Sequence, residues 1–226
     1  MTARRFSARR PIRLSDTDER GRLRLDAVAR YLQDVAADDV LDAGWRPDEH
    51  VWVVRRSELD VVQPFLEDAH VELTTWCAGV AAAAATRRTS LAGDRGGRIE
   101  AEMVWIHLGR DLQPERLGER FLAVYGESAA GRKSSTGLRL PGPPPEASER
   151  AWHVRSTDVD RLGYMNNAAY WAAVEELWAD RLIEPCRVVL EYRRPIDRLD
   201  EVLLASTDDG LWLRAGDELR AAAALG

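Results

Sequence analysis

Apolar positions recur along this chain in two rhythms, and the points where one gives way to the other outline its elements. Residues 7–14 alternate as a short strand, and Pro11 within it cannot donate a ladder hydrogen bond, which places the strand at a sheet edge or a bulge. The segment SDTDERGRL then leads into a helical pattern over Leu25–Leu41, where Leu25, Val28, Ala29, Leu32, Val35, Ala36 and Leu41 share one face. Gly44 is a suitable stop. From Val51 the period changes to two: VWVVRRSELDVV, HVELTTWCAGV and RIEAEMVWIHL are rich in β-branched and aromatic residues, with turn residues between them. Ala81–Ala85 favours a helix by intrinsic propensity but lies between strand-like stretches, so it reads as strand.

Residues 126–149, GESAAGRKSSTGLRLPGPPPEASE, break both rhythms. The PGPPP run fits neither a helix nor a central strand and reads as an extended linker. It separates a long first part, 1–125, from a shorter second part, 150–226, which repeats the order of the first: strand to about Arg155, helix to about Leu182, strands from Arg187 onward. The repeat extends to residues. A shift of 142 places Arg13 on Arg155, Asp16 on Asp158, Asp18 on Asp160 and Gly21 on Gly163, so R-x-x-D-x-D-x-x-G occurs twice between a strand and a helix. Further on, LDVVQPF at 59–65 falls on LEYRRPI at 190–196 with a smaller shift, as if a loop had shortened. Duplication accounts for matching motifs in matching places.

Composition narrows the class. With 226 residues, 45% hydrophobic, 31% charged and a net charge of −6, the chain reads as globular, and its acidity argues against nucleic-acid or anionic-membrane partners. The two cysteines, 77 and 186, and the four histidines, 50, 70, 107 and 153, show neither disulfide-framework nor zinc-ligand spacing. The basic N-terminus lacks an apolar core segment and no apolar run is long enough to span a bilayer, so a cytoplasmic location is expected.

The candidate chemistry sits in RSTDVDRLGYMNNAAYWAAVEELW, Arg155–Trp178. Asp158 and Asp160 end an extended segment, Gly163 turns it, and Asn166 or Asn167 opens a helix. A carboxylate can activate water, and unsatisfied amides at a helix start can hold a developing negative charge. The alternative is that these Asp and Asn residues only form turns and caps. The first-half copy supports that role for Asp158 and Gly163. Asn166, Asn167 and Tyr170, which the first copy lacks, point to a site around Asp160.

D-x-D-x-x-G-x-x-N-N-x-x-Y (Asp158, Asp160, Gly163, Asn166, Asn167, Tyr170) resembles the hotdog thioesterase signature. With the DTDERGRLRLDAVARYLQDVA segment, the Val54-x-Arg56-x-x-Leu59 strand and Leu190-Glu-Tyr-Arg-Arg, the chain resembles the plant-type acyl-carrier-protein thioesterases and their bacterial relatives. The resemblance implies an α+β tandem (double) hotdog, each unit a long helix wrapped by an antiparallel sheet. Residues 1–125 would bind the acyl chain and 150–226 would carry the catalytic site. It implies a hydrolase of fatty acid biosynthesis that frees fatty acid from acyl carrier protein; an acyl-CoA thioesterase and a non-catalytic acyl-binding protein are the alternatives. Members typically read D-x-N-x-H at the second turn. Asp160 holds the Asp position, whereas Leu162 and Tyr164 replace the Asn and His, and Pro195-Ile196 stand where a later polar residue belongs. The implied catalytic set is Asp160 as base or nucleophile, Asn166 to orient water or cap the helix, and Tyr164 as donor or space-filler. Gly163, Met165 and Asn167 would bind substrate through the amides near the helix start. Neither metal nor cofactor is implied. Arg87, Arg88, Arg193 and Arg194 are candidates to dock an acidic carrier protein, and a monomer or weak homodimer is expected.

Overall fold

The computed structural model describes residues 3–46 and 51–226; His50 lies outside them. The first half contributes β1 (Phe6–Pro11), α1 (Leu25–Asp42), β2 (Val51–Gln63), β3 (His70–Val80), β4 (Ala84–Gly93), β5 (Arg98–Leu108) and α2 (Glu119–Ala129). The second contributes β6 (Ser148–Trp152), α3 (Tyr170–Trp178), β7 (Cys186–Tyr192), β8 (Val202–Ser206), β9 (Gly210–Ala215) and β10 (Glu218–Leu225). The ten strands of the described residues join one antiparallel sheet in the order β1-β3-β4-β5-β2-β7-β10-β9-β8-β6. The halves meet at β2 and β7, which pair from Arg56 opposite Glu191 to Val61 opposite Cys186. Pro11 lies on β1, an edge strand, as its missing N–H requires.

Alternation decides which face is covered. Leu59, Leu73, Leu91, Val188, Leu190, Leu204, Leu213 and Ala223 point to one side and pack with Leu25, Val28, Leu32 and Val35 of α1 and Trp171, Val174 and Trp178 of α3. The two helices also touch each other. On the opposite face Ala205, Trp212 and Ala222 are covered by Leu140 and Ala147.

Several expectations need correction. Leu41 is 52% exposed; at the end of α1 the buried residue is Asp39, whose carboxylate takes Arg4 Nε at 2.8 Å and Arg87 Nη1 at 2.7 Å. Of Ala81–Ala85 only Ala84 and Ala85 are in β4; the first three form the turn, closed by Ala81 N–H to Ala84 O at 2.7 Å. The supposed linker also begins too early and ends too late. Residues 126–129 finish α2, Ala130 and Gly131 close it in left-handed conformations (φ 48° and 72°), and Ser148 and Glu149 already belong to β6. The stretch between is a fixed strap: buried Glu191 accepts the N–H groups of Arg139 (2.6 Å) and Leu140 (3.1 Å), and Trp212 Nε1 donates to Pro141 O (2.9 Å). Among the described residues no helix is long and apolar enough to cross a membrane.

Candidate active site

Both copies of the turn are built alike. Arg13 N–H donates to Asp16 Oδ2 at 3.0 Å and Arg155 N–H to Asp158 Oδ2 at 2.9 Å, each aspartate being buried. Gly21 N–H reaches Asp18 O and Gly163 N–H reaches Asp160 O, both at 3.0 Å, with the glycines at φ +78° and +86°, a conformation costly for other residues. Asp158 and Gly163 thus shape the turn.

The copies differ at the next carboxylate. Asp18 accepts the backbone N–H groups of Arg20 and Arg22 and is ion-paired to Arg22 Nε at 3.0 Å. Among the described residues the Asp160 carboxylate accepts only the N–H of Leu162, at 2.8 Å, and has no cationic partner. Shifted by 142, Arg22 corresponds to Tyr164. Tyr164 and Leu162 are 39% and 45% exposed, so neither side chain fills the space that an inward-facing Asn or His would occupy.

Each turn is also met by the other half's helix. From α1, Gln33 Nε2 donates to Asn166 Oδ1 at 3.0 Å, and the same oxygen accepts Ala168 N–H at 2.9 Å, so Asn166 closes the turn that precedes α3; the helix itself opens at Tyr170 after Ala169, not at Asn166 or Asn167 as its sequence suggested. From α3, Glu175 accepts two bonds from Arg22 (3.1 and 2.6 Å) and the N–H of Leu25 at the start of α1. Glu176, the nearest acid in sequence, is exposed. Gln33 and Glu175 are themselves related by the shift of 142.

Amides near the second turn are mostly committed. Met165 N–H donates to Ile196 O at 2.8 Å and Asn166 N–H to Asp158 O at 2.7 Å, while buried Met165 packs in the core. Asn167 N–H makes no hydrogen bond among the described residues. Its carbonyl is held by Tyr192 Oη at 3.1 Å, which in turn accepts Trp171 Nε1–H at 3.1 Å. Burial pushes the Tyr192 phenol up, keeping it a donor. Tyr170 packs edge-on against Tyr192, with ring centroids 5.2 Å apart.

Two cavities lie on either side of Gln33. A polar cleft of about 400 Å³ is lined by Asp26, Arg30, Gln33, Asp158, Asp160 and Asn166. A largely apolar cavity of about 280 Å³ runs between α1, α2 and the first-half strands, lined by Val40, Trp45, Trp52, Trp105, Phe121 and Tyr125. Gln33 borders both, and Arg161, next to Asp160 in sequence, lines the apolar one. Among the described residues no group of three or more His, Cys, Asp or Glu is arranged to hold a metal.

The apolar cavity and the carboxylate cleft thus share Gln33 as a common wall. Residues 3–125 match the acyl-ACP thioesterase N-terminal domain and residues 143–217 the acyl-ACP thioesterase C-terminal domain. The chain belongs to the acyl-ACP thioesterase family. An uncharacterised protein of Mycobacterium tuberculosis strain H37Rv is 35% identical over 218 residues, spanning 93% of this chain and 87% of that protein. In fold, the chain is similar to the 12:0-ACP thioesterase from Umbellularia californica (TM-score 0.78, 17% identity, 98% of this chain and 96% of that one). It is also similar to an acyl-ACP thioesterase from Bacteroides thetaiotaomicron (TM-score 0.76, 16% identity, 98% and 96%). The large antiparallel sheet with few helices is thus the hotdog-type fold of these enzymes, and membership of the family supports thioester hydrolysis.

The acyl-ACP thioesterase resemblance directed attention to the second turn, and Gln33, Glu175 and Tyr192, which bond to the two turns or to the residues beside them, were not among the residues it singled out. A polar Gln33 next to Leu32 and three residues before Ala36 was the available signal. The four arginines named for docking do not form one patch: Arg87 and Arg88 lie on β4, Arg193 and Arg194 follow β7, and β5 and β2 separate them. Arg87 turns inward to Asp39, and Arg194 pairs with Glu218 at 3.3 Å.

Proposed function

We propose that this chain hydrolyses acyl-acyl carrier protein and releases the fatty acid. Two hotdog units stand in tandem: residues 1–125 hold the acyl chain in the aromatic cavity and residues 150–226 supply the reacting end. The observation that carries this reading is the contrast between the two turns: Asp18 is neutralised by Arg22, whereas Asp160 has no cationic partner among the described residues and borders the polar cleft.

Asp160 removes a proton from water as its oxygen attacks the thioester carbonyl carbon; the C–S bond then breaks, and the thiolate leaves and takes up the proton. Direct attack by the Asp160 carboxylate, followed by hydrolysis of the anhydride, uses the same geometry. Backbone N–H groups near the second turn that make no bond among the described residues, those of Tyr164 and Asn167, are the candidates to polarise the carbonyl oxygen, and one such donor is worth about 3–4 kcal/mol. A thiolate needs little help to leave, so the absence of an inward histidine at Tyr164 does not stop the reaction. Gly163 holds the loop, and Met165 supports it from the core.

The test offers purified protein acyl-carrier-protein and acyl-CoA thioesters of several chain lengths and follows thiol release. Asp160→Asn should lower kcat by at least about 10²-fold, the scale of a lost general base, with an unchanged melting temperature. Full activity in that variant removes Asp160 from the mechanism. Release from CoA but not from carrier protein reassigns the substrate. No release from either leaves an acyl-binding protein, a reading favoured by the outward Leu162 and Tyr164.

A further inference from the structure

Building on the hydrolase reading, we propose that Gln33 is a positioning residue: it locks the Asn166 side chain so that Nδ2–H of Asn166 donates to the thioester carbonyl oxygen. A carboxamide has one acceptor atom with two lone pairs and one nitrogen with two donors. The backbone N–H of Ala168, 2.9 Å away, identifies the atom it meets as the oxygen, because a donor cannot pair with the NH₂ group. Gln33 Nε2 occupies the same oxygen from the other helix at 3.0 Å. Both acceptor directions of Asn166 are therefore used within the fold, and its NH₂ group, which makes no hydrogen bond among the described residues, is left for the cleft that Asp160 shares.

Gln33 is placed for this role because it borders both cavities. A chain lying in the aromatic cavity passes Gln33 as it reaches the carboxylate cleft, so the carbonyl of its thioester arrives beside Asn166. The repeat supplies an internal comparison. Where α1 has Gln33, α3 has Glu175, which can accept but not donate, and Glu175 is consumed by Arg22 and Leu25 N–H. An amide at this point leaves a polar donor available beyond it; an acid at the same point closes its turn with an ion pair. The site is thus composite: the carboxylate and Asn166 come from the second half, and the group that orients Asn166 comes from the first.

The experiment uses Gln33→Glu, with Asn166→Ala and Gln33→Met alongside. A glutamate of nearly the same shape removes the donor to Asn166 Oδ1. Gln33→Glu should lower kcat by about 10²-fold, the loss typical of one oxyanion donor, with KM and melting temperature little changed. Because the introduced carboxyl can donate again once protonated, the activity of Gln33→Glu relative to wild type should recover as the pH falls toward about 4.3, the ordinary glutamate value; Gln33→Met should show no such recovery. A second readout needs no turnover: binding of an acyl-CoA ketone analogue, with CH₂ in place of sulfur, is compared by calorimetry with that of the analogue lacking the carbonyl. Gln33→Glu and Asn166→Ala should each weaken the ketone about tenfold and leave the carbonyl-free analogue unchanged. Equal weakening of both analogues, or of neither, overturns the assignment. If wild type turns over no thioester, the hydrolase reading fails by itself, and the ketone comparison still decides whether Asn166 holds the carbonyl.

Discussion

Glu175→Ala is the sharpest probe of how the two helices are held. In the native chain Glu175 accepts two bonds from the Arg22 guanidinium, at 3.1 and 2.6 Å, and also the first amide of α1, Leu25 N–H. Arg22 is 1% exposed, so water cannot replace the lost carboxylate. Breaking a buried pair from one side costs about 3–5 kcal/mol, and an orphaned buried amide about 1–3 kcal/mol more. Asp18 still pairs with Nε at 3.0 Å and offsets part of this, which leaves a net loss of about 4 kcal/mol. For a chain of this size that is a fall in Tm of about 8–16 °C. Urea titration should show a lower midpoint with an unchanged slope. Replacing both partners, Arg22→Met with Glu175→Leu, should recover part of the loss, because the buried guanidinium goes with its carboxylate, while Leu25 N–H stays unpaired and half-buried Asp18 loses its cation. A Glu175→Ala variant within about 1 kcal/mol of wild type, or a double variant no better than the single, refutes the reasoning.

Tyr192→Phe removes the hydroxyl that joins Trp171 Nε1 to the Asn167 carbonyl and leaves the buried indole N–H and the half-buried carbonyl unsatisfied; a loss of about 2 kcal/mol is expected, together with lower kcat/KM for thioester, and unchanged values of both would show that Asn167 is held otherwise. Asp26 is opposed by burial, yet the Arg24 and Arg30 guanidiniums outweigh that and hold its carboxyl below the usual range. A depressed carboxylate stabilises the fold above its unfolded value and loses that contribution as the pH falls through its folded value. Asp26→Asn should therefore be less stable than wild type at pH 7 and approach it as the pH drops below 3.8, as read from denaturant midpoints across pH; a constant gap would exclude the linkage.

Where a segment's burial follows its own period, its sequence was enough. The helix read over Leu25–Leu41 is Leu25–Asp42, and the three strands after Val51 hold their places, because alternating side chains leave little choice of face. Where long-range contacts decide, the pattern was silent. α2 is built by ring contacts of Phe121 and Tyr125 with Trp45, at 5.8 and 5.6 Å, whereas its last residues, Gly-Glu-Ser-Ala, carry a loop-like composition. Asp39 is buried only because arginines from β4 and the N-terminal segment reach it. The second turn was legible through its repeat. That Leu162 and Tyr164 face outward, and that the cleft takes Gln33 from the other half, depends on how α1 and α3 cross, which no local spacing encodes.

The joining of both halves through β2 and β7 has an evolutionary consequence. In an assembly of identical subunits every substitution appears twice, so an arginine that neutralised one turn's aspartate would neutralise its twin. Here the two turns lie on one chain and mutate separately. Arg22 could take Asp18 into an ion pair while Tyr164 left Asp160 alone. One turn became a fastener for the helices, and the other remained free to change under a different selection.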